Sequence, residues 1–197
     1  MLRLMWKLGL PTILICAVAA AGLAATYAVT KGPIAAQDKL AQERALKAVL
    51  TDAKSFRPLT DKTVLTAAGK AGGETPVDSI FEALDGGGAV VGWGVQVRPR
   101  GYGGPMTVVV GVDRNGKVTG VNMVAHNETP GLGTKAVGTV GKPTPYLATF
   151  KSVDSAEKAL KLDGVTGATK SSRGVKHAVE AALLVYDRVL KEGGGAK

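Results

Sequence analysis

A chain of 197 residues that is 45% hydrophobic has material for one packed domain plus attachments, with a formal net charge of +9. Its Lys and Arg residues are scattered, aromatics make up 5% and no nucleic-acid-binding signature is present, so the charge points to a membrane surface or acidic partners and not to nucleic acid. One cysteine, Cys16, within an apolar segment, and two distant histidines, His126 and His177, exclude an internal disulfide and argue against a zinc site.

Residues 8–29 are almost wholly apolar and uncharged, with Thr12, Thr26 and Tyr27 near the ends. The run suffices for a transmembrane helix of about 20 residues. Arg3 and Lys7 precede it, which by the positive-inside tendency places the N-terminus in the cytoplasm and everything after Lys31 on the far side. A cleaved signal peptide ending near Ala24 and Ala25 is the alternative, but the apolar run exceeds the usual ~7 to 15 residues of such a peptide, which favours a retained anchor. Residues 34–50 are Ala-rich and charged, with Glu43 and Lys47 one turn apart and Leu46, Val49 and Leu50 along one side. They read as a helical stalk that either lifts the folded part away or packs against it. Residues 54–76, with Pro58, Gly69, Gly72 and Gly73, read as a loose connection.

Strand signals follow at residues 79–84 and 89–97, flanking Asp85-Gly86-Gly87-Gly88, and at residues 106–112 and 117–125, flanking Asp113-Arg114-Asn115-Gly116. Two hairpins predict an α+β fold with a mostly antiparallel sheet. Between the hairpins lies a basic, Gly-rich, flexible loop, residues 98–105, carrying Tyr102. After the last strand, His126-Asn127-Glu128-Thr129-Pro130-Gly131-Leu132-Gly133 concentrates polar groups where a strand stops. This stretch is either a ligand loop or a turn with a hydrogen-bonded His126. Asp154 and Glu157 form a capping-box-like start for a helix at residues 155–162. The last helix spans residues 171–191, buries Val175, Ala178, Val179, Ala182, Leu183, Tyr186 and Leu190, and ends at Gly193-Gly194-Gly195. His177 within it reads as a surface or packing residue.

Between these two helices, Asp163-Gly164-Val165-Thr166-Gly167-Ala168-Thr169-Lys170-Ser171-Ser172 is a small-residue turn opening into a helix. Small residues let a ligand approach the backbone, and the helix N-terminus favours an anion. The other reading is a tight turn ending in a Ser or Thr cap.

The order Asp163-x-x-Thr166-Gly167-Ala168-Thr169 resembles the flavinylation motif of the FMN-binding domains of the Rnf and sodium-pumping quinone reductase complexes. His126-x-Glu128-Thr129-Pro130-Gly131-Leu132-Gly133 and Gly101-Tyr102-Gly103-Gly104-Pro105 resemble the RnfG family, the flavin subunits of Rnf electron transport complexes. The resemblance implies a transmembrane helix (residues 1–31), a stalk and connection (32–75), an extracytoplasmic FMN-binding domain (76–192) and a tail (193–197). It implies FMN joined to Thr169 through a phosphoester by a flavin transferase that uses FAD. Asp163, Thr166, Gly167, Ala168, Lys170, Tyr102, His126, Glu128, Thr129 and Leu132 would surround the cofactor. Glu128 is expected to order its loop by accepting backbone N–H bonds, and His126 or Thr129 to donate to the ring. The implied role is an electron carrier without a catalytic site of its own, a single-pass protein of the cytoplasmic (inner) membrane. Its partners are the other membrane and redox subunits of an ion-translocating ferredoxin:NAD oxidoreductase. The alternatives are the corresponding flavin subunit of the sodium-pumping quinone reductase and a tethered assembly module without redox cofactor, in which Thr169 only caps a helix.

Overall fold

The computed structural model describes residues 2–139 and 142–191, with side chains from residue 9 onward, and the chain divides into two compact units, Met1–Leu40 and Ala41–Lys197. The side chains of Arg3 and Lys7 and the glycines at 193–195 lie outside the described residues.

The first unit is helical, part of α1 (Leu2–Val49). Its most apolar window has a mean hydropathy of 2.1, and none of that window is buried against protein. Such a helix fits a membrane anchor. Thr26 and Thr30 return their hydroxyls to Gly22 O and Thr26 O at 2.9 Å, so neither presents an unpaired donor. The helix continues through Lys31 and Pro33, so the anchor and the expected stalk are one element.

The second unit is built on a five-stranded antiparallel meander in the order β1 (Ser55–Pro58), β2 (Val77–Leu84), β3 (Val90–Val97), β4 (Thr107–Asp113), β5 (Val118–Ala125). Side chains alternate across the sheet, and both faces are covered. That is why β4 reads as a nearly unbroken valine run: Val108, Val110 and Val112 enter the larger core, while Val109 enters the smaller one. In the larger core, Ile80, Val95, Val97, Val121 and Met123 meet Val175, Ala178, Val179, Ala182 and Leu183 of α6 (Thr169–Val185). On the other face the last turns of α1 settle through Ala45, Leu46 and Val49, with Leu50 just beyond the helix. Glycines make the room. A Cβ on Gly94 would collide with the Leu46 side chain, and one on Gly111 would stand 2.8 Å from Val49 O. The Thr119 hydroxyl donates to Val49 O, and the side-chain amides of Gln42 and Gln96 are hydrogen-bonded. Of the two fates left open for the stalk, its C-terminal end packs against the sheet.

Both predicted hairpins are present. Their turns are built alike: Asp85 Oδ1 accepts the N–H groups of Gly87 and Ala89, and Asp113 Oδ1 those of Asn115 and Lys117, all at 2.8–2.9 Å. Gly88 (φ 84°) and Gly116 (φ 77°) take the left-handed position that returns each chain to its strand.

The stretch at residues 54–76 is not a loose connection. It supplies the edge strand β1, paired with β2, and α2 (Lys62–Ala71), whose first turn is capped by the Asp61 carboxylate accepting Thr63 N–H at 2.8 Å. Three short helices follow the sheet: α3 (Thr134–Val137), α4 (Pro145–Ala148) and α5 (Ala156–Lys161). The cap of α5 is Ser155, whose hydroxyl accepts Lys158 N–H, while Asp154 and Glu157 are spent on ion pairs with Lys158 and Lys161. The expected capping box is therefore not formed. The last helix starts at Thr169, two residues earlier than expected, and closes with a π-helical turn, Tyr186–Leu190, where Tyr186 donates to Arg114 O at 2.7 Å.

Candidate functional site

Three segments converge at one end of the sheet. The first is the turn entering α6. Ala168 N–H donates to Val165 O at 2.9 Å, with Gly167 at φ 80° on the inner corner. A residue with a side chain is strained there, and Gly is not. Ser172 then locks the turn: its Oγ accepts Val165 N–H at 2.9 Å and donates to Ala168 O at 3.0 Å. Tyr146 adds a bond from its hydroxyl to Ser172 O at 3.2 Å, and burial pushes that phenol's pKa up. Ala168 occupies the cap position, and no side chain bonds the first turn. Thr169 is therefore the first helical residue and not its cap, and its hydroxyl side chain is exposed beside backbone N–H groups that lie too early in the helix for an intrahelical partner.

The second segment is the loop 101–104, closed by Gly101 N–H on Gly104 O at 2.8 Å and by the Arg100–Pro105 bridge. It is a tight turn and not the flexible loop expected. It holds up Tyr102, 70% exposed, with Lys170 Nζ 5.6 Å from its ring centroid, within the range of a cation–π contact. The third is the loop after β5. Gly131 N–H donates to Thr134 Oγ1 at 2.9 Å, and Leu132 N–H to Thr129 O at 3.2 Å, leaving Leu132 52% exposed.

Together they enclose a cavity of about 560 Å³. Tyr102, Thr129, Leu132 and Gly133 line one side, and Gly167, Ala168, Thr169, Lys170 and Ser171 the other. Of the residues singled out from the sequence, Tyr102, Thr129, Leu132, Gly167, Ala168, Thr169 and Lys170 meet there. Asp163 and Thr166 are exposed and do not line it. Nor does His126, whose Nδ1 accepts Glu128 N–H at 3.2 Å and so is committed to its own loop. Glu128 lies behind the wall, 5% exposed, accepting Gly103 N–H at 3.1 Å and the Ser171 hydroxyl at 2.6 Å.

Two further lining residues, Gly133 and Ser171, are not among the contacts expected from the sequence. Gly133 is legible there only as part of a glycine-rich turn. Its reason is packing: a Cβ there would collide with the Glu128 carboxylate, as would one on Gly101. Ser171 carries a weaker signal, a small hydroxyl residue within the first turn of the helix.

These features fit a flavin mononucleotide. An uncapped helix N-terminus with Lys170 and exposed Arg173 suits a phosphate, and exposed Tyr102 and Leu132 offer flat apolar cover for a ring. The volume lies in the ~300–1,000 Å³ range of small-molecule sites.

Known proteins are similar to this chain over most of its length. The sequence model described as FMN-binding domain matches residues 101–184, from the Tyr102 loop through the cavity side of α6, and the RnfG N-terminal region matches residues 1–49. The chain is 33% identical to the G subunit of the Na(+)-translocating ferredoxin:NAD(+) oxidoreductase complex of Acetobacterium woodii, over 96% of this chain and 95% of that protein. It is 32% identical to the G subunit of the ion-translocating oxidoreductase complex of Escherichia coli K12, over 93% and 92%. The crystal structure of Shewanella oneidensis NqrC shares the fold, with a TM-score of 0.50 at 20% identity over 74% of this chain and 73% of that one. An anchor-like first helix, a flavin-sized cavity closed by the first turn of α6, and relatives matched almost end to end place this chain in the RnfG family of the ion-translocating oxidoreductase complexes, with an FMN-binding domain.

Proposed function

We propose that this chain is the membrane-anchored electron carrier of an Rnf-type ferredoxin:NAD oxidoreductase, with FMN held through a phosphoester on Thr169 and its folded domain on the extracytoplasmic side. The supporting observation is the position of Thr169: an exposed hydroxyl residue at the start of an uncapped helix, on the wall of the cavity.

Thr169 Oγ1 is the attachment atom. In maturation by a flavin transferase it gains the bond to phosphorus and loses its proton, while the pyrophosphate bond of FAD breaks and AMP departs. The first-turn N–H groups of α6 and the Lys170 ammonium would hold the remaining phosphodiester charge. Tyr102 and Leu132 would give a flavin ring its apolar cover, and Thr129 would offer it a hydroxyl. When bound, the cofactor supplies reversible electron transfer, and the protein supplies position and electrostatics. Tyr102 and Leu132 are both exposed, so a ring held against them would be within reach of a redox partner at the surface.

The test is in-gel flavin fluorescence after denaturation of the chain co-produced with a flavin transferase. A fluorescent band is expected for the wild type and no band for Thr169→Ala. A band of undiminished intensity in Thr169→Ala would place the attachment elsewhere.

A further inference from the structure

We infer that Glu128 is a positioning residue that fixes the polarity of the Ser171 hydroxyl, so that Ser171 meets the bound cofactor as a hydrogen-bond acceptor. This rests on the reading of the cavity as the flavin site.

Glu128 and Ser171 are 5% and 1% exposed. None of the ion pairs among the described residues involves Glu128. A buried carboxylate without a counter-ion is costly, so its hydrogen bonds must carry its charge. One oxygen accepts Gly103 N–H at 3.1 Å and the other accepts the Ser171 hydroxyl at 2.6 Å. The first bond anchors the Tyr102 loop and the second anchors α6, so one side chain joins two walls of the cavity from behind. Gly101 and Gly133 lack a Cβ where this carboxylate sits.

A serine hydroxyl has one proton and two lone pairs. In Ser171 the proton is committed to Glu128, and no donor among the described residues reaches its Oγ. Ser171 is part of the cavity wall, and with its proton held by Glu128 the only polar role left to its Oγ is that of an acceptor. A phosphate oxygen or a ring carbonyl is repelled there, whereas a sugar hydroxyl or a ring N–H is held. The phosphate therefore belongs at Thr169 and the first-turn N–H groups, and the ribityl chain or the N–H edge of the ring belongs at Ser171. Glu128→Gln reverses this arrangement. The amide oxygen keeps the bond to Gly103, the amide nitrogen donates to Ser171 Oγ, and the hydroxyl proton turns to the cavity.

The experiment uses the full chain in detergent, flavinylated, as wild type, Glu128→Gln, Ser171→Ala and the double variant, with the flavin midpoint potential as readout. Glu128→Gln removes a negative charge and presents a donor, so its potential is expected to become more positive, with most of that shift absent in the Ser171→Ala background. An unchanged or more negative potential, or an equal shift with and without Ser171, overturns the inference. A second readout needs no flavin: in the unloaded Thr169→Ala chain, adding Glu128→Ala should speed amide exchange at Gly103 by about tenfold or more and leave Val110 unaffected. Unchanged protection of Gly103 overturns the anchoring role. Glu128→Gln, a neutral acceptor of the same shape, should give a smaller acceleration and carries this arm if the alanine variant does not fold. A wild type that carries no flavin contradicts the Thr169 assignment, while the exchange measurement still decides the role of Glu128.

Discussion

At the scale of single residues, the site's glycines have different causes and so predict different losses. Gly167 sits at φ 80° with open space around its Cα, so Gly167→Ala suffers only backbone strain, of order 1 kcal/mol. Gly133 faces the Glu128 carboxylate and Ser171 Oγ, so Gly133→Ala must displace a buried charge network and costs roughly 1–3 kcal/mol or more. Chemical denaturation of the two variants checks the order, and equal losses would contradict the packing account of Gly133. Thr169 is singled out through the resemblance of residues 163–169 to a flavinylation motif, because the residues alone leave a phosphate turn and a capped turn equally open; its place on the cavity wall is visible only in the fold. For His126 the sequence leaves two readings, a ligand or a hydrogen-bonded turn residue, and only the bend of the chain after β5, which brings Nδ1 to Glu128 N–H, decides for the second. The depth of Glu128 is equally hidden, since its partners Gly103 and Ser171 are far away in the chain.

At the scale of elements, what is legible is whatever repeats locally. Strands β3 to β5 announce themselves by valine-rich runs and β2 by the apolar Ile80 and Phe81, all between turn clusters, and α6 by its apolar stripe. Strand β1 does not, because four residues ending in Pro58 show no period and owe their extended form to pairing with β2. Nor does α2, where Gly69 and flanking glycines mimic a loop while Asp61 supplies the cap and Ala68 and Ala71 supply the burial. The turns carry their own prediction. Backbone N–H bonds from Ala89 and Gly87, in that order, hold the Asp85 carboxyl below the usual carboxylate range. A carboxylate of lowered folded-state pKa adds stability that is present above its unfolded value and is lost as pH falls through the folded one. Melting temperature should therefore fall more steeply in acid for the wild type than for Asp85→Ala, which has already lost the contribution. Parallel curves below pH about 4 would show that the turn does not contribute.

At the scale of the whole molecule, one chain joins a membrane-type helix to a flavin-type domain, the combination a tethered carrier needs. Orientation is a separate prediction, from Arg3 and Lys7 ahead of the apolar run. Protease applied to cells with only the outer barrier opened should digest the domain and spare cytoplasmic controls, and full protection would reverse the orientation. The central claim is narrower: a flavin nucleotide is covalently attached at Thr169. Its most direct measurement is mass spectrometry of the full chain co-produced with a flavin transferase, intact and after proteolysis. An increment of one FMN confined to the peptide containing Thr169, absent in Thr169→Ala and kept in Thr169→Ser, is the predicted result. An unmodified wild-type chain, or the same increment in Thr169→Ala, would contradict it.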